Sequence, residues 1–363
     1  MGWSFTIGRI AGTAVRLHFT FLLFLAWIGI ADYIAGGPAV ALDSLAFIVL
    51  VFACVTLHEF GHILMGRHFG IATPDVILSP IGGIANMEKM PEKPMQELLI
   101  AIAGPLVNVA IVLLLVVLFG ITFAGLSGLD FATATLAERL ALVNVSLVLF
   151  NLVPAFPMDG GRVLRALLAM RMGPRKATAI AARIGQGFAF VFVLLGLFYN
   201  PMLMLVGVFI YVAAGSEQQE SAFSGFASRL NVKDAMEPQP IILQQQAPLS
   251  EAVDHLLRTP QRDFPVVDGN NAVTGFLDRE AMLLGLSKHG PDTAIATVMR
   301  ASLPLPPDMS LVEAFTVLRN RGVRAETVID ASGRIAGILT LENIGEMMMV
   351  EKARPGFIFP KRR

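Results

Sequence analysis

Residues 58–62 read His58-Glu59-Phe60-Gly61-His62 and lie in an apolar stretch, residues 44–66, that is long enough to span a membrane as a helix. His58 and His62 are four residues apart, so a helix places both imidazoles on one face, one turn apart. Two histidines with this spacing can bind one zinc ion. Glu59 lies beside that face, where its carboxylate can take a proton from metal-bound water. Because ionisable groups within a span are costly and usually functional, the pattern predicts a metal site inside the membrane.

The composition of the whole chain agrees with a membrane protein. Of its 363 residues, 55% are hydrophobic and 15% are charged, whereas about 25% of the residues in a soluble domain are charged. Lys+Arg and Asp+Glu both number 28, so no basic excess indicates a nucleic-acid partner. Cys54 is the single cysteine, which excludes an internal disulfide and a cysteine-rich metal cluster.

Charge divides the chain into two parts. Residues 1–230 carry 13 Lys/Arg and 12 Asp/Glu, whereas the shorter segment 231–363 carries 15 and 16. The first part therefore has the low charge density of a membrane domain, and the second resembles a soluble domain. We predict a transmembrane domain at 1–220, a linker at 221–231, soluble repeats at 232–291 and 292–352, and a basic tail at 353–363.

Six apolar segments are candidate membrane-spanning helices. Lys and Arg are concentrated in every second connection between them, which predicts a cell (inner) membrane protein with both termini in the cytoplasm. A cleaved signal peptide is the alternative interpretation of the first segment. Between the second and third segments, the Gly- and Pro-rich stretch 69–96 predicts two short strands, 76–78 and 81–85, that form a hairpin lining a cavity. The six segments are 17–36, 44–66, 97–123, 136–153, 177–199 and 201–216.

A catalytic zinc site needs three protein ligands and one open position for water, so a third ligand must come from elsewhere. His68 lies six positions past His62 on a different helix face and is expected at the surface, and His18 opens the first span and is expected at the membrane interface. Cys54 is one turn before His58 and could approach the metal, although it is also a typical small buried residue. Asp159 follows a span that returns to the same side of the membrane as the histidines. Its spacing makes it the best candidate for the third ligand, with capping of the next helix as its alternative role.

Three motifs follow one another along residues 1–220. They are His58-Glu59-x-x-His62, Gly104-Pro105-x-x-Asn108 and Asn151-Leu-Val-Pro-x-x-Pro-Met-Asp159-Gly-Gly. In this order the motifs resemble the site-2 protease family of intramembrane zinc metalloproteases. Met158 stands where that family usually has leucine, which is a conservative difference.

The resemblance implies a role for each matching residue. His58, His62 and Asp159 would bind one zinc ion, and Glu59 would act as the general base. Asn151 would be a catalytic polar group near the scissile carbonyl. The hairpin around Gly82 and Gly83 would bind an unwound substrate as an added strand. Asn108 could join neighbouring helices by hydrogen bonds or take part in catalysis, and the residues favour the first interpretation.

Two units of the soluble region align at a spacing of 62 residues, as Glu251 with Glu313 and Gly275 with Gly337. Each unit predicts the order strand, helix, strand, strand, helix. The pattern resembles a tandem pair of cystathionine-β-synthase (CBS) domains, a family that often binds adenine nucleotides such as ATP or AMP. The second unit keeps the family's motif as Gly337-Ile-Leu-Thr340-Leu-Glu-Asn343, which makes Thr340 and Asn343 the implied nucleotide-binding residues.

The first unit departs from that motif. Asp278 replaces the hydroxyl residue and Ala281 replaces the acidic or amide residue. At most one ordinary nucleotide site is therefore expected. The alternative is a pair that holds a substrate or forms a homodimer without binding any ligand.

The predicted fold is a polytopic α-helical membrane domain of about six helices with a β-hairpin, followed by a soluble α/β tandem CBS domain. The predicted function is cleavage of the transmembrane segments of membrane-anchored proteins by a zinc endopeptidase that the CBS pair regulates. The alternative is a CBS-regulated transporter or channel with an intramembrane ion site. The sequence predicts one Zn²⁺ per chain, a single-span protein substrate and no nucleic-acid partner, and it does not identify the substrate.

Overall fold

The computed structural model of the chain describes residues 4–80, 82–86, 93–122, 133–354 and 357. Ile81 of the predicted hairpin lies outside the described residues. So do Lys361, Arg362 and Arg363 of the predicted basic tail. The chain divides into two compact units, Met1–Gln219 and Glu220–Arg363.

A small sheet and six helices form the first unit in the described part of the chain, and the last of these helices continues past the unit boundary. The sheet has the strand order β1-β2-β3-β4. Its strands are β1 Ser4–Ile10, β2 Thr13–His18, β3 Asp75–Ser79 and β4 Gly82–Asn86. The helices are α1 Phe19–His68, α2 Pro94–Phe119, α3 Leu136–Asn151, α4 Asp159–Met172, α5 Pro174–Phe198 and, continuing past the unit boundary, α6 Pro201–Ala227.

Four of the described helices, α1, α2, α5 and α6, are long and apolar enough to cross a membrane. Helix α1 has 50 residues, which is about 75 Å at 1.5 Å per residue and far exceeds a hydrocarbon core of about 30 Å. It contains non-helical backbone at Gly37, whose φ is 79°, and Pro38 follows. Two helices therefore join at this kink, as the predicted segments 17–36 and 44–66 require. Helix α3 has 16 residues and is not among the four, so the count of six remains a prediction.

The predicted linker is largely helical. Helix α6 continues to Ala227, through most of the segment 221–231 for which we predicted a linker. The stretch after residue 216 contains Gln, Glu and Ala without proline, and these residues favour continuation of a helix over a break.

The predicted hairpin forms β3 and β4, and it belongs to a larger sheet than the sequence indicated. β2 pairs in parallel with β3, Val15 opposite Val76, and a β1–β2 hairpin that we did not predict extends the sheet. Val15, Val76 and Leu78 pack with Phe60 and Ile63 of α1 in one apolar core. This core fixes the sheet against the part of α1 that carries His58 and His62.

The second unit contains two three-stranded sheets, of order β6-β7-β8 and β5-β10-β9. β5 precedes the first repeat's other strands, yet it pairs with β10 of the second repeat. The position equivalent to Pro238 of β5, 62 residues later, is Arg300. Arg300 pairs with Phe276 in the first repeat's sheet, so the two repeats exchange equivalent segments. The elements are α7 Val232–Ala235, β5 Glu237–Pro238, β6 Leu243–Gln244, α8 Leu249–Arg258, β7 Phe264–Val267, β8 Val273–Leu277, α9 Arg279–His289, a 3₁₀ turn Ile295–Thr297, α10 Leu311–Arg321, β9 Ala325–Ile329, β10 Ile335–Thr340 and α11 Leu341–Ala353.

Candidate metal centre

His58, His62 and Asp159 converge within the first unit. Asp159 Oδ2 lies 3.2 Å from His58 Nε2 and 3.3 Å from His62 Nε2. The two Nε2 atoms are 3.1 Å apart, and both histidines are buried. Each of the three residues therefore offers one ligand atom to a single metal ion.

The loop between α3 and α4 brings Asp159 to the histidines. Asp159 is the first residue of α4, and Met158 is the N-cap residue. A Cβ on Gly160 would lie 2.4 Å from the carbonyl oxygens of Leu152 and Val153, so only glycine lets the first turn of α4 approach the loop so closely. A helix-capping role for Asp159 is not seen, because its carboxylate is directed to the two imidazoles.

Arg165 fixes α4 to two neighbouring helices. Its Nε donates to Glu97 of α2 at 2.5 Å, and its Nη1 donates to Glu217 of α6 at 2.7 Å. The guanidinium also lies over the ring of Phe156, with its carbon 5.6 Å from the ring centroid. Because Arg165 and Asp159 belong to the same short helix, this buried ion-pair group restricts where Asp159 can lie.

The residues at this site fit a zinc ion. Asp159 Oδ2 is buried and accepts no hydrogen bond from the residues that the structure describes. His62 Nδ1 lies 2.7 Å from the carbonyl oxygen of Ile100, which can only accept, so this nitrogen carries the proton and Nε2 of the neutral ring carries a lone pair. Acceptor atoms that face one another without a donor repel unless a cation lies between them.

Gly104 of α2 leaves space for that cation. A Cβ built on Gly104 would lie 2.2 Å from His62 Nε2 and 2.7 Å from His58 Nε2. Zinc–nitrogen bonds are about 2.0–2.1 Å long. A side chain at position 104 would therefore occupy the space that a metal bound to both imidazoles needs.

Glu59 lies beside the edge strand of the sheet. A Cβ on Gly83 of β4 would come within 2.8 Å of Glu59 Cγ and 3.4 Å of its Oε1, so the backbone of β4 passes directly against this side chain. Gly82, the first residue of β4, has a φ of 136°, a conformation that favours glycine. The structure thus places the predicted base and the predicted substrate-binding strand together.

The other sequence candidates lie as follows. Asn151 is the last residue of α3; it is half-buried, and its side chain makes no hydrogen bond to the described residues. Cys54 is buried and is not among the converging ligand atoms. His18 caps α1 by accepting from the Thr20 amide, and His68 lies against the ring of Phe69.

Three contributors to the site were not assigned to it from the sequence. They are the carbonyl of Ile100, the space at Gly104, and Asn144 of α3, which binds Asn108. Asn144 gave a signal as an amide within an otherwise apolar segment, and Gly104 gave one as part of the motif Gly104-Pro105-x-x-Asn108, although no role at the metal was assigned to either residue. The backbone carbonyl of Ile100 leaves no signature in residue chemistry.

Comparisons with known proteins agree with this site. Residues 46–137 and 128–194 match the model of peptidase family M50, and residues 232–288 and 295–348 match the CBS domain model. A zinc metalloprotease of Methanocaldococcus jannaschii is 31% identical over 355 residues, which cover 96% of this chain and 97% of that protein. The chain belongs to peptidase family M50. The predicted site-2 protease family, the enzyme class and the zinc cofactor are confirmed, and the transporter alternative is set aside.

Two solved structures resemble parts of the chain. A site-2 protease from Methanocaldococcus jannaschii is 38% identical and covers 60% of this chain and 95% of its own, with a TM-score of 0.45. The CBS domain of a bacterial CNNM/CorC family Mg²⁺ transporter in complex with ATP is 20% identical and covers 36% of this chain and 97% of its own, with a TM-score of 0.33.

The second unit contains a cleft of about 600 Å³ that Thr340 and Asn343 line. The Thr340 hydroxyl oxygen accepts a hydrogen bond from the backbone amide of Asn343 at 3.0 Å. The same hydroxyl group donates to the side-chain oxygen of Asn343. Acidic side chains outnumber basic ones in this cleft. They are Glu237, Asp263, Glu342 and Glu346 against Arg262 and Arg279.

In the first repeat, an ion pair between two side chains of the chain lies at the position equivalent to Thr340. Asp278, which stands where the second repeat has Thr340, lies 3.8 Å from Arg300 Nε. Arg300 also donates to Glu326 at 2.8 Å and lies over the ring of Phe276, 4.6 Å from its centroid. This arrangement agrees with the prediction of at most one ordinary nucleotide site.

Proposed function

We propose that this protein hydrolyses peptide bonds within the transmembrane segments of membrane-anchored proteins, with zinc bound by His58, His62 and Asp159. The convergence of three acceptor atoms within 3.3 Å, beside the space that Gly104 leaves, carries the proposal. An open zinc site with three protein ligands and an adjacent carboxylate is the arrangement of a metallopeptidase.

Each residue near the site has a distinct task. Zinc, when bound, polarises the scissile carbonyl and lowers the pKa of the attacking water. Glu59 takes the proton from that water and transfers it to the leaving amine. Asn151 contacts the scissile carbonyl, a role that is supported by its position at the end of α3 and by its side-chain amide, which makes no hydrogen bond to the described residues.

The open edge of β4 binds the substrate. In the described sheet β4 pairs only with β3, so its outer backbone groups are free to bind an added strand. A helical segment in a membrane hides its peptide bonds in internal hydrogen bonds, and it must unwind before hydrolysis. Pairing with β4 replaces those hydrogen bonds and places the substrate backbone next to Glu59.

The chain crosses the membrane six times in this proposal, with both termini in the cytoplasm. The kink at Gly37 supports two crossings within α1, and α2, α3, α5 and α6 supply the others. The alternation of Lys and Arg between connections supports the orientation.

The test of the proteolytic function uses the purified full-length protein and a single-span membrane protein as substrate. Glu59→Gln should lower the cleavage rate by about 10²- to 10⁴-fold, the range for loss of a general base, while one zinc per chain is retained. Glu220→Gln, which changes an exposed glutamate, is the matched control and should cleave normally. Unchanged cleavage by Glu59→Gln would overturn the assignment of the base.

The CBS pair binds an adenine nucleotide in the cleft at Thr340 and Asn343 and thereby modulates proteolysis. The motif of the second repeat and the size of the cleft support this proposal. Asn343→Ala should weaken AMP or ATP binding to the full-length protein by about tenfold, as expected for loss of one hydrogen-bonding partner. Asn320→Ala, an exposed asparagine on α10, is the control. Equal affinity of the two variants would contradict the proposed cleft.

A further inference from the structure

Two asparagines form a hydrogen-bonded line from α3 through α2 to His58. Asn144 Nδ2 donates to the carbonyl oxygen of Leu140 at 2.8 Å, and Asn108 Nδ2 donates to Asn144 Oδ1 at 3.0 Å. Asn108 Oδ1 lies 2.6 Å from His58 Nδ1. Both asparagines are fully buried, at 0% exposure. Their side chains therefore have no alternative partner in solvent.

The backbone carbonyl of Leu140 sets the direction of every hydrogen bond along this line. A carbonyl oxygen only accepts, so Asn144 must direct its NH₂ group to Leu140 and its oxygen to Asn108. Asn108 must then donate to Asn144 and direct its own oxygen to His58. His58 Nδ1 consequently carries the ring proton, and Nε2 directs a lone pair toward Asp159.

The two histidines reach this same arrangement by different means. His62 Nδ1 donates directly to the carbonyl oxygen of Ile100 at 2.7 Å, a backbone group that no substitution removes. His58 depends on two side chains in succession. Ile100, Gly104 and Asn108 are spaced four residues apart along α2, so one face of this helix provides both histidine acceptors and the space between them.

We propose that Asn108 and Asn144 are positioning residues of the metal centre. Asn108 holds the ring of His58 in the orientation and with the proton arrangement that zinc binding requires, and Asn144 acts only by fixing the direction of the Asn108 amide. Outer hydrogen bonds of this kind orient metal-bound imidazoles and raise their affinity for the ion. The inference rests on the proposed function, since it takes His58 to be a zinc ligand.

The test measures zinc affinity of the full-length protein without substrate, by competition with a chelator. Asn108→Leu should raise the zinc dissociation constant by about 10- to 100-fold, and Asn144→Leu should raise it by about threefold to tenfold, because Asn108 remains. The double variant should bind zinc as weakly as Asn108→Leu alone, since Asn144 has no route to the metal except through Asn108. Ser146→Ala, which removes an exposed hydroxyl from the same helix α3, should bind zinc normally.

The visible spectrum of bound cobalt(II) provides a second readout, which reports the geometry of the ligands and not the overall stability. Asn108→Leu should shift the cobalt bands relative to wild type and Ser146→Ala should not. Wild-type affinity in Asn108→Leu, or additive losses in the double variant, would overturn the inference while leaving the protease assignment intact. If Asn108→Leu does not fold, Asn144→Leu decides, because an affinity equal to that of Ser146→Ala overturns the proposal. Failure of the wild-type protein to bind zinc would instead overturn the proposed function.

Discussion

Each unit of the molecule contains a buried polar cluster, and the two clusters differ in their balance of donors and acceptors. In the second unit, Glu326 is 0% exposed, and its oxygens accept from Arg300 at 2.8 Å and from Ser302 at 2.6 Å. In the first unit, His58, His62 and Asp159 direct three acceptor atoms at one another. The His58–His62–Asp159 cluster contains only acceptors and needs a cation, whereas in the Glu326 cluster the buried carboxylate is already paired with an arginine and a hydroxyl group.

A ligand site can therefore be distinguished from a structural one by counting the hydrogen-bond donors and acceptors in each cluster. Buried polar groups in native proteins are almost always paired, so a set made only of acceptors indicates a missing positive charge. Both clusters contain groups that would look functional from residue type alone. The hydrogen-bond directions, set by Ile100 and Leu140 in the first unit, are what distinguish them.

Removal of the Asp159 carboxylate from the His58–His62–Asp159 cluster should have the largest effect on zinc binding. Asp159→Ala leaves two imidazoles to bind the ion, and zinc affinity should fall by more than the roughly 100-fold that outer hydrogen-bond partners contribute. Zinc content by mass spectrometry and cleavage of a single-span substrate should both fall to background. Stoichiometric zinc in this variant would show that another residue completes the site.

Filling the space between the imidazoles should have the next largest effect. Gly104→Ala places a methyl group 2.2 Å from His62 Nε2, so zinc binding requires the histidines or α2 to move. Zinc affinity should fall by at least about tenfold, as for other disturbances of ligand orientation. Gly187→Ala on helix α5 is the matched control, because a Cβ built at Gly187 meets none of the described atoms within 4 Å. Equal zinc affinity of the two variants would refute the role assigned to Gly104.

Removing the arginine from the Glu326 cluster should lower the stability of the second unit and leave zinc binding unaffected. Arg300→Leu deprives the buried Glu326 of its cation, a loss of about 3 kcal/mol when one partner of a buried ion pair is removed. Hydrogen exchange in β9 should accelerate by about 100-fold, since 1.4 kcal/mol corresponds to a factor of ten. Arg334→Leu, which breaks an exposed ion pair with Asp330, is the control and should change exchange by less than about fivefold. Adding Glu326→Leu to Arg300→Leu should restore much of the protection, and a further loss would contradict the pairing.

The sequence predicted which residues form the chemical motifs better than it predicted how the helices and strands pack together. The four-residue spacing of His58 and His62 predicted the ligand pair, because it follows the period of a helix. The 62-residue repeat predicted two similar units, and their resemblance to CBS domains implied the architecture. The β1–β2 hairpin was missed although Thr13, Val15 and Leu17 alternate with polar or small residues as a strand does.

The parts of the site that could not be predicted come from contacts between distant segments. Nothing in the sequence places Ile100 opposite His62, or Asn144 next to Asn108, because these pairs form only when α1, α2 and α3 pack. Asp159 could be proposed as a ligand, but its approach depends on the close contact of Gly160 with the preceding loop. A helix count was equally uncertain from the sequence, since the 50-residue element α1 contains both of its first two apolar segments.

The cleft at Thr340 differs from both clusters, because its acidic side chains are in excess but none of them is fully buried. Burial raises the pKa of Asp263, whose carboxylate accepts the Arg279 amide at 3.2 Å. A raised pKa means that the folded state binds the proton more readily than the unfolded state, so the charged carboxylate destabilises the unit at pH 7 and this cost disappears as the pH falls through the raised pKa. Asp263→Asn should therefore increase exchange protection of β7 at pH 7, by less than about tenfold, and the difference from wild type should shrink as the pH falls through the raised pKa and vanish below the unfolded-state pKa of about 3.9. Asp292→Asn, which changes an exposed carboxylate of the same unit, should show no such difference, and a gain in Asp263→Asn that persists unchanged at pH 4 would mean that charge is not its cause.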